Sequence, residues 1–144
     1  SPQKCPQVWT VEFLSKVNER INPKGYLVTY SSSAAVRKTL RNHGLNIFSI
    51  KPNLASRNSW SNGTMATKKF DKKQLLNNLY FQKLCLMEEE HLLTKASIPY
   101  RDPSLSAKTK NIIQRRLKEQ FSSNLNTTKE WRDKWGMTKS TLNS

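Results

Sequence analysis

The chain predicts an α/β fold, the trailing half of a doubly wound sheet followed by a basic, mostly helical extension. Three observations carry this reading. Residues 1–70 alternate stretches of helical and strand period in the order helix, strand, helix, strand, loop, strand. Residues 26–40, YLVTYSSSAAVRKTL, pass from a strand pattern to a helix pattern through three serines, and ligands of open α/β sheets sit beyond such strand ends. Residues 71–144 lose the alternation and read mainly as helices.

The elements follow in order. Residues 8–21, VWTVEFLSKVNERI, set Trp9, Phe13 and Val17 four apart, with Leu14 and Ile21 beside them, which gives one apolar helical face. NPKG at 22–25 stops that helix, since Pro23 cannot continue its hydrogen bonding and Gly25 permits a tight reversal. YLVTY then reads as a short buried strand. One of Ser31, Ser32 and Ser33 is expected to cap the next helix, AAVRKTLRNHG, which Gly44 ends. LNIFSIK at 45–51 is a second strand, and GTMATKKF at 63–70, after a loop over 52–62, is a third. Strands joined through a helix should run parallel, whereas one returning after a loop can pair antiparallel. Half a sheet leaves an open edge, so a missing partner half is expected.

In the extension, residues 72–93 carry Leu75, Leu76, Leu79, Tyr80, Leu84 and Met87 at mixed spacing and read as one or two helices. Glu88 and His91 stand at i and i+3, half of a di-iron pattern. Without a second copy, an acidic helical surface with a packing histidine is the simpler reading. IPYRDPSL at 98–105 is an extended loop punctuated by Pro99 and Pro103. AKTKNIIQRRLKEQF sets Ile113, Leu117 and Phe121 four apart among arginines and lysines, a basic amphipathic helix suited either to phosphate or to packing on the sheet. Thr127 and Glu130 fit a capping box, and Trp131 and Trp135 follow one turn apart as an anchor onto a larger body. The last residues, 137–144, read as frayed.

Composition bounds the function. The 144 residues suffice for about one domain. An apolar content of 35% allows only a modest core. The net charge of +15 suits a polyanionic partner such as RNA or DNA, or equally a basic solvated surface that needs no partner. Lys and Arg outnumber Asp and Glu by 11 to 2 over residues 1–70 and by 14 to 8 over 71–144, so no single tail carries the excess. Cys5 and Cys85 are far apart and form no CxxC, which argues against a zinc site or a disulfide scaffold and suits reduced thiols in the cytoplasm. No run approaches the roughly 20 apolar residues of a membrane span. Ser1 in place of methionine suggests a processed or excised piece, or a true beginning upstream.

Taken together, SPQKCPQVW, then EFL, then NPKGYLVTYSSSAAVRKTLRNHGLNIFSI resemble the MnmC-like S-adenosylmethionine-dependent methyltransferases, a tRNA wobble-uridine modification family. The shared features are Pro2, Pro6 with Trp9, Pro23 with Gly25, Thr29 with Tyr30, and Ala34 with Arg37. The resemblance implies the C-terminal half of a Rossmann-like class I methyltransferase sheet over 1–70, with 71–144 as the extension. It also implies S-adenosyl-L-methionine as cofactor, tRNA as partner, and methyl transfer to an aminomethyl-uridine of the anticodon. The family's glycine-rich cofactor loop, its ribose-holding acid and the aspartate before Ser-Pro have no counterpart here. Gly25, Gly44, Gly63 and Gly136 are isolated, so the chain alone should bind the cofactor poorly. NLASRNSWSNGT at 53–64 departs from the family's usual basic loop and resembles a cyanobacterial-type branch.

For the site, the resemblance places Tyr30 and Ser31 beside the loop of residues 1–6, lining the acceptor side of the pocket. Tyr30 would orient the acceptor, although a ring finishing the core with its hydroxyl in water is an equal reading. Ser1, Pro2, Lys4 and Pro6 would meet the substrate, with Lys4 near a phosphate or left as a solvated surface lysine. Trp60 and Ser61 would join them, and Trp60, in a polar loop, is a better stacking surface for an extruded base than Trp9, which shares the core face with Phe13. No residue is assigned to cofactor or metal. The alternatives are a non-catalytic basic RNA-binding or interaction module, or an inactive fragment of a split gene.

Overall fold

The structure, a computed structural model, describes residues 1–52, 60–76 and 78–137. The expectations for the loop over 53–59 and for the tail over 138–144 lie outside the described residues.

A short 3-10 turn, Pro6–Trp9, precedes helix α1, Val11–Arg20. The helix therefore starts later than the apolar spacing suggests. Thr10 is the reason: its backbone is extended and its Oγ1 accepts the Phe13 N–H at 3.2 Å, capping the helix there. Leu14 is buried, and Trp9 and Phe13 pack partly against the core. Strand β1, Tyr26–Thr29, follows the NPKG turn, and helix α2, Ala34–Asn42, follows the serines. Ser33 takes the N-cap position without a side-chain cap bond. Ser31 Oγ instead accepts the Ser33 N–H at 3.3 Å, so the serines shape the turn and leave the helix end uncapped by any hydroxyl.

Strands β2, Asn46–Ile50, and β3, Thr64–Thr67, complete the first half. Strand β3 lies between β1 and β2 and is antiparallel to both. Thus β1 and β2 run in the same direction, as a helical crossover requires, without pairing with each other. Strand β1 occupies the sheet edge, and it corrects the expectation of a buried strand: Tyr26 is 55% and Val28 65% exposed, while Leu27 packs inward. Alternation sends those two side chains to the face opposite Leu27, at the edge of the sheet.

Residues 72–93 form two helices, within the expectation, but with a strand between them that the spacing does not predict. Helix α3, Lys72–Leu76, and helix α4, Leu86–His91, are separated by a fourth strand, β4, Phe81–Gln82, which pairs antiparallel with β2. The Asn78 carboxamide oxygen accepts the Tyr80 and Phe81 N–H groups at 2.8 and 3.1 Å, and this local competition with the helix ladder turns the chain. Phe81 then meets Phe48 with ring centroids 5.7 Å apart.

Helix α5, Thr109–Ser122, forms where expected but buries a different face. Leu117 is 56% and Phe121 90% exposed, and Ile112 is the buried residue. Arg116 and Gln120, on the Ile112 face, reach the carbonyls of Ala96, Ile98 and Lys95, which an apolar stripe would leave unpaired. Helix α6, Thr128–Trp135, carries the expected capping box. Trp131 is buried with its Nε1 donating to Met87 O at 2.9 Å, and Trp135 Nε1 donates to Glu90 at 2.8 Å, so both tryptophans anchor α6 on α4.

The main core joins Leu14, Val36, Leu40, Leu45, Ile47, Ala66 and Leu92, and a second cluster joins Ala35, Tyr100 and Ile112. Both clusters combine residues from before and after position 70. A parallel bridge between Thr10 and Tyr100 adds backbone pairing across that position. No helix of the described residues is long and apolar enough to cross a membrane.

Candidate functional site

The C-terminal end of β1 opens onto a cleft of about 600 Å³. One wall is Tyr30 with the serines that lead into α2, and Ser1 and Pro2 close one side. Trp60 and Ser61 arrive from the segment before β3, and His91, Tyr100 and Arg116 come from the second half of the chain. Six of the eight residues expected at the site, Ser1, Pro2, Tyr30, Ser31, Trp60 and Ser61, therefore lie together. Pro6 is buried and Lys4 exposed, and neither lines the cleft.

These residues differ in what they have free to offer. The Tyr30 ring is 70% exposed and meets Trp9 edge-on at 6.4 Å, and its hydroxyl accepts a hydrogen bond from the Ser1 amino group at 3.1 Å. Trp60 stands edge-on to both His91 and Trp131, at 5.9 and 6.3 Å. Ser31 is 5% exposed and its carbonyl accepts the Thr64 hydroxyl at 2.7 Å. Ser61, 4% exposed, accepts from Ser49 Oγ at 2.8 Å and donates to Gly63 O at 2.9 Å. The two serines thus serve chiefly to hold the walls.

What holds those walls is a group the site expectations did not include. Arg37, on α2, has no exposed surface. Its Nη1 donates to Glu88 at 2.8 Å, its Nε to Thr64 Oγ1 at 2.8 Å, and its Nη2 to Ser61 Oγ at 3.0 Å and Gly63 O at 2.9 Å. The guanidinium also lies 5.3 Å from the Trp60 ring centre. Burial pushes its pKa down, and the Glu88 carboxylate opposes that shift. One side chain so ties α2, β3, α4 and the Trp60 segment together. The signal in the sequence was an arginine inside the apolar run AAVRKTL, but its partner stands 51 residues away.

Glu88 is spent on Arg37 and on the Cys85 N–H at 2.9 Å, and His91 stacks on Trp131 with centroids 4.1 Å apart. His91 is the packing histidine expected, although Glu88 is buried and no surface acid. Burial, and next the Arg37 charge, lower the His91 pKa to about 4, against a smaller opposing pull from Glu88. The folded protein therefore holds this imidazole neutral where the unfolded chain, with its pKa near 6.5, takes up a proton. Its contribution is intact above pH 6.5 and is lost as pH falls toward 4, a loss of roughly 3 kcal/mol. Urea unfolding between pH 7 and 4 should show this slope, reduced in His91→Phe; an unchanged slope would refute the assignment.

The resemblance implies S-adenosylmethionine, a nucleotide cofactor whose grip calls for an acidic side chain at the ribose and a glycine-rich turn. The described lining of the cleft contains no carboxylate for ribose hydroxyls, and Gly25, Gly44, Gly63 and Gly136 cannot pair into a phosphate-loop-like turn. These residues do not fit the cofactor's grip. Aromatic faces, hydroxyls and an arginine line the cleft instead.

Comparison with known proteins agrees with the fold. Residues 1–68 match the model of a family described as S-adenosyl-L-methionine-dependent methyltransferase. The crystal structure of MNMC2 from Aquifex aeolicus is similar with a TM-score of 0.71 and 32% sequence identity, over 85% of this chain. The chain spans 36% of that protein's length. No curated protein matches the chain. In sequence over residues 1–68, and in fold over most of its length, the chain resembles part of an MnmC-like S-adenosyl-L-methionine-dependent methyltransferase.

Proposed function

We propose that this chain forms the methyl-acceptor side of an S-adenosylmethionine-dependent methyltransferase acting on an aminomethyl-uridine in the tRNA anticodon. The cofactor is held by a leading half of the domain that these 144 residues do not include. The observation that carries this reading is the convergence of Tyr30, Trp60, Ser1 and Pro2 on one cleft at the C-terminal end of β1. The partly exposed edge strand β1 supports a docking position for the leading half, since Tyr26 and Val28 present apolar surface there.

The chemistry asks little of the acceptor side. The cofactor, held elsewhere, would supply the methyl group and keep its sulfur as the leaving group, so the task left to this side is to position the acceptor amine. Tyr30, exposed at the cleft, would orient the acceptor, and the exposed part of Trp60 would meet the base. The charge of +15 would draw the RNA.

Calorimetric titration tests this directly. S-adenosylmethionine should give no binding heat with this chain and a saturable heat once the chain is completed by the leading part of such a methyltransferase. A completed protein that binds no cofactor overturns the enzyme reading. If it nevertheless binds tRNA with affinity falling steeply in added salt, the chain is a basic RNA-binding module.

A further inference from the structure

We propose that Tyr100 is a specificity-determining residue of the cleft, its hydroxyl donating a hydrogen bond to an acceptor oxygen of the bound nucleotide. This rests on the functional reading above only in taking that nucleotide to be part of an RNA strand.

Tyr100 is held as a core residue. It is 2% exposed and packs with Ala35 and Ile112, and its carbonyl accepts the Val11 N–H at 2.9 Å, so both ring and backbone are fixed. The Arg116 guanidinium lies over the ring at 4.5 Å and is itself held by bonds from Nε to Ile98 O and from Nη2 to Ala96 O, at 2.7 and 2.9 Å. A phenylalanine would meet every one of these packing demands.

The hydroxyl is what they leave over. It makes no hydrogen bond to a described residue, and it is not among the polar atoms sealed from solvent, as His91 Nδ1 is. Because Tyr100 lines the cleft, the hydroxyl meets solvent there. A polar atom on so deeply buried a side chain is ordinarily paired, and an unpaired hydroxyl costs stability that an apolar ring would not. A ligand that brings an oxygen to this point offsets that cost.

The surroundings select the partner. Burial pushes the phenol pKa up, against a smaller opposing pull from Arg116, so at neutral pH the hydroxyl keeps its proton and donates. The described lining of the cleft holds no carboxylate, and none of the described residues forms a salt bridge with Arg116, whereas Arg37, Arg41 and Arg101 each have one. A donor beside an unbalanced positive charge favours an oxygen that bears negative charge, fully on a phosphate or in part on a base carbonyl.

Tyr100→Phe isolates the hydroxyl. It keeps the ring and the cover by Arg116 and removes no internal hydrogen bond, so the melting temperature should hold or rise. Tyrosine isotopically labelled at Cζ gives one resonance for each of the four tyrosines. The Tyr100 signal is the one lost in Tyr100→Phe, and Tyr26 and Tyr80, which do not line the cleft, are the controls. Uridine, which carries no phosphate, and inorganic phosphate separate the two sources of the oxygen, and an anticodon stem-loop RNA is the third probe. The RNA and at least one of the small probes should shift the Tyr100 resonance saturably and leave Tyr26 and Tyr80 in place. By fluorescence anisotropy the RNA should bind about fivefold more weakly to Tyr100→Phe, with an unchanged salt slope because the group removed is neutral.

A Tyr100 resonance that none of the three probes moves, or a melting temperature that falls in Tyr100→Phe, overturns the proposal. RNA bound equally by both proteins overturns it while leaving the RNA reading standing. A Tyr100 shift with uridine or phosphate, in a chain that binds no RNA, supports the residue's role for a free nucleotide or phosphate ester and counts against the RNA reading.

Discussion

Glu88→Ala should destabilise the protein by about 3–5 kcal/mol, the cost of removing one partner from a buried ion pair. Arg37 and Glu88 are both 1% exposed at the side chain and meet at 2.8 Å. With Glu88 gone, the guanidinium keeps its neutral acceptors Thr64, Ser61 and Gly63 O but has no compensating charge. Domains of this size are stable by only about 5–15 kcal/mol, so the loss is a large share of the whole. The exposed pair Arg41–Glu89, at 37% and 43% exposure, provides the control. Glu89→Ala should cost at most about 1 kcal/mol, because solvent screens that pair. Chemical denaturation of both variants is the measurement, and equal losses would refute the central role given to Arg37. Because Arg37 also contacts Ser61 and Trp60, Glu88→Ala should loosen the cleft, visible as a red shift in tryptophan fluorescence before global unfolding.

Gly63→Ala is expected to have an effect of similar size, about 3 kcal/mol or more, from overpacking together with backbone strain. Gly63 has φ +142, which side-chain-bearing residues rarely adopt, and an added Cβ would stand 2.1 Å from Thr29 O and 2.8 Å from Tyr30 Cα. Those neighbours are backbone of the β1 terminus and cannot swing aside. To admit the methyl group, β1 and β3 must separate at the point where Tyr30 enters the cleft. The variant should therefore lose stability and also displace Tyr30, read as chemical-shift changes at Thr29, Tyr30 and Ser31. A variant as stable as the native protein would show that the close approach is relieved at little cost.

Much of the first half was legible from periodicity. The strand runs 26–29, 46–50 and 64–67 and the helix over 34–42 fall where alternation, glycine and proline put them. The serine junction was legible as the strand-to-helix turn that lines the cleft, because such turns in open sheets lie at the carboxyl end of a strand. Burial was less legible. YLVT has the composition of an inner strand, yet its place at the edge depends on β3 inserting between β1 and β2. Helix α5 carries an apolar stripe at Ile113, Leu117 and Phe121, yet the buried face is set by the carbonyls around Ala96 and Ile98 that Arg116 satisfies.

The sequence by itself determined local structure: where helices and strands start and stop, the capping box of α6, the charge, and the family likeness of residues 1–68. These depend on neighbours a few residues apart, through backbone geometry and side-chain spacing. Only the tertiary structure decided the pairing of Arg37 with Glu88, the addition of β4 to the sheet, and the entry of His91, Tyr100 and Arg116 into the cleft wall. The physical reason is separation along the chain. A buried charge must find a partner wherever the fold brings one, and no local pattern specifies a contact 51 residues away.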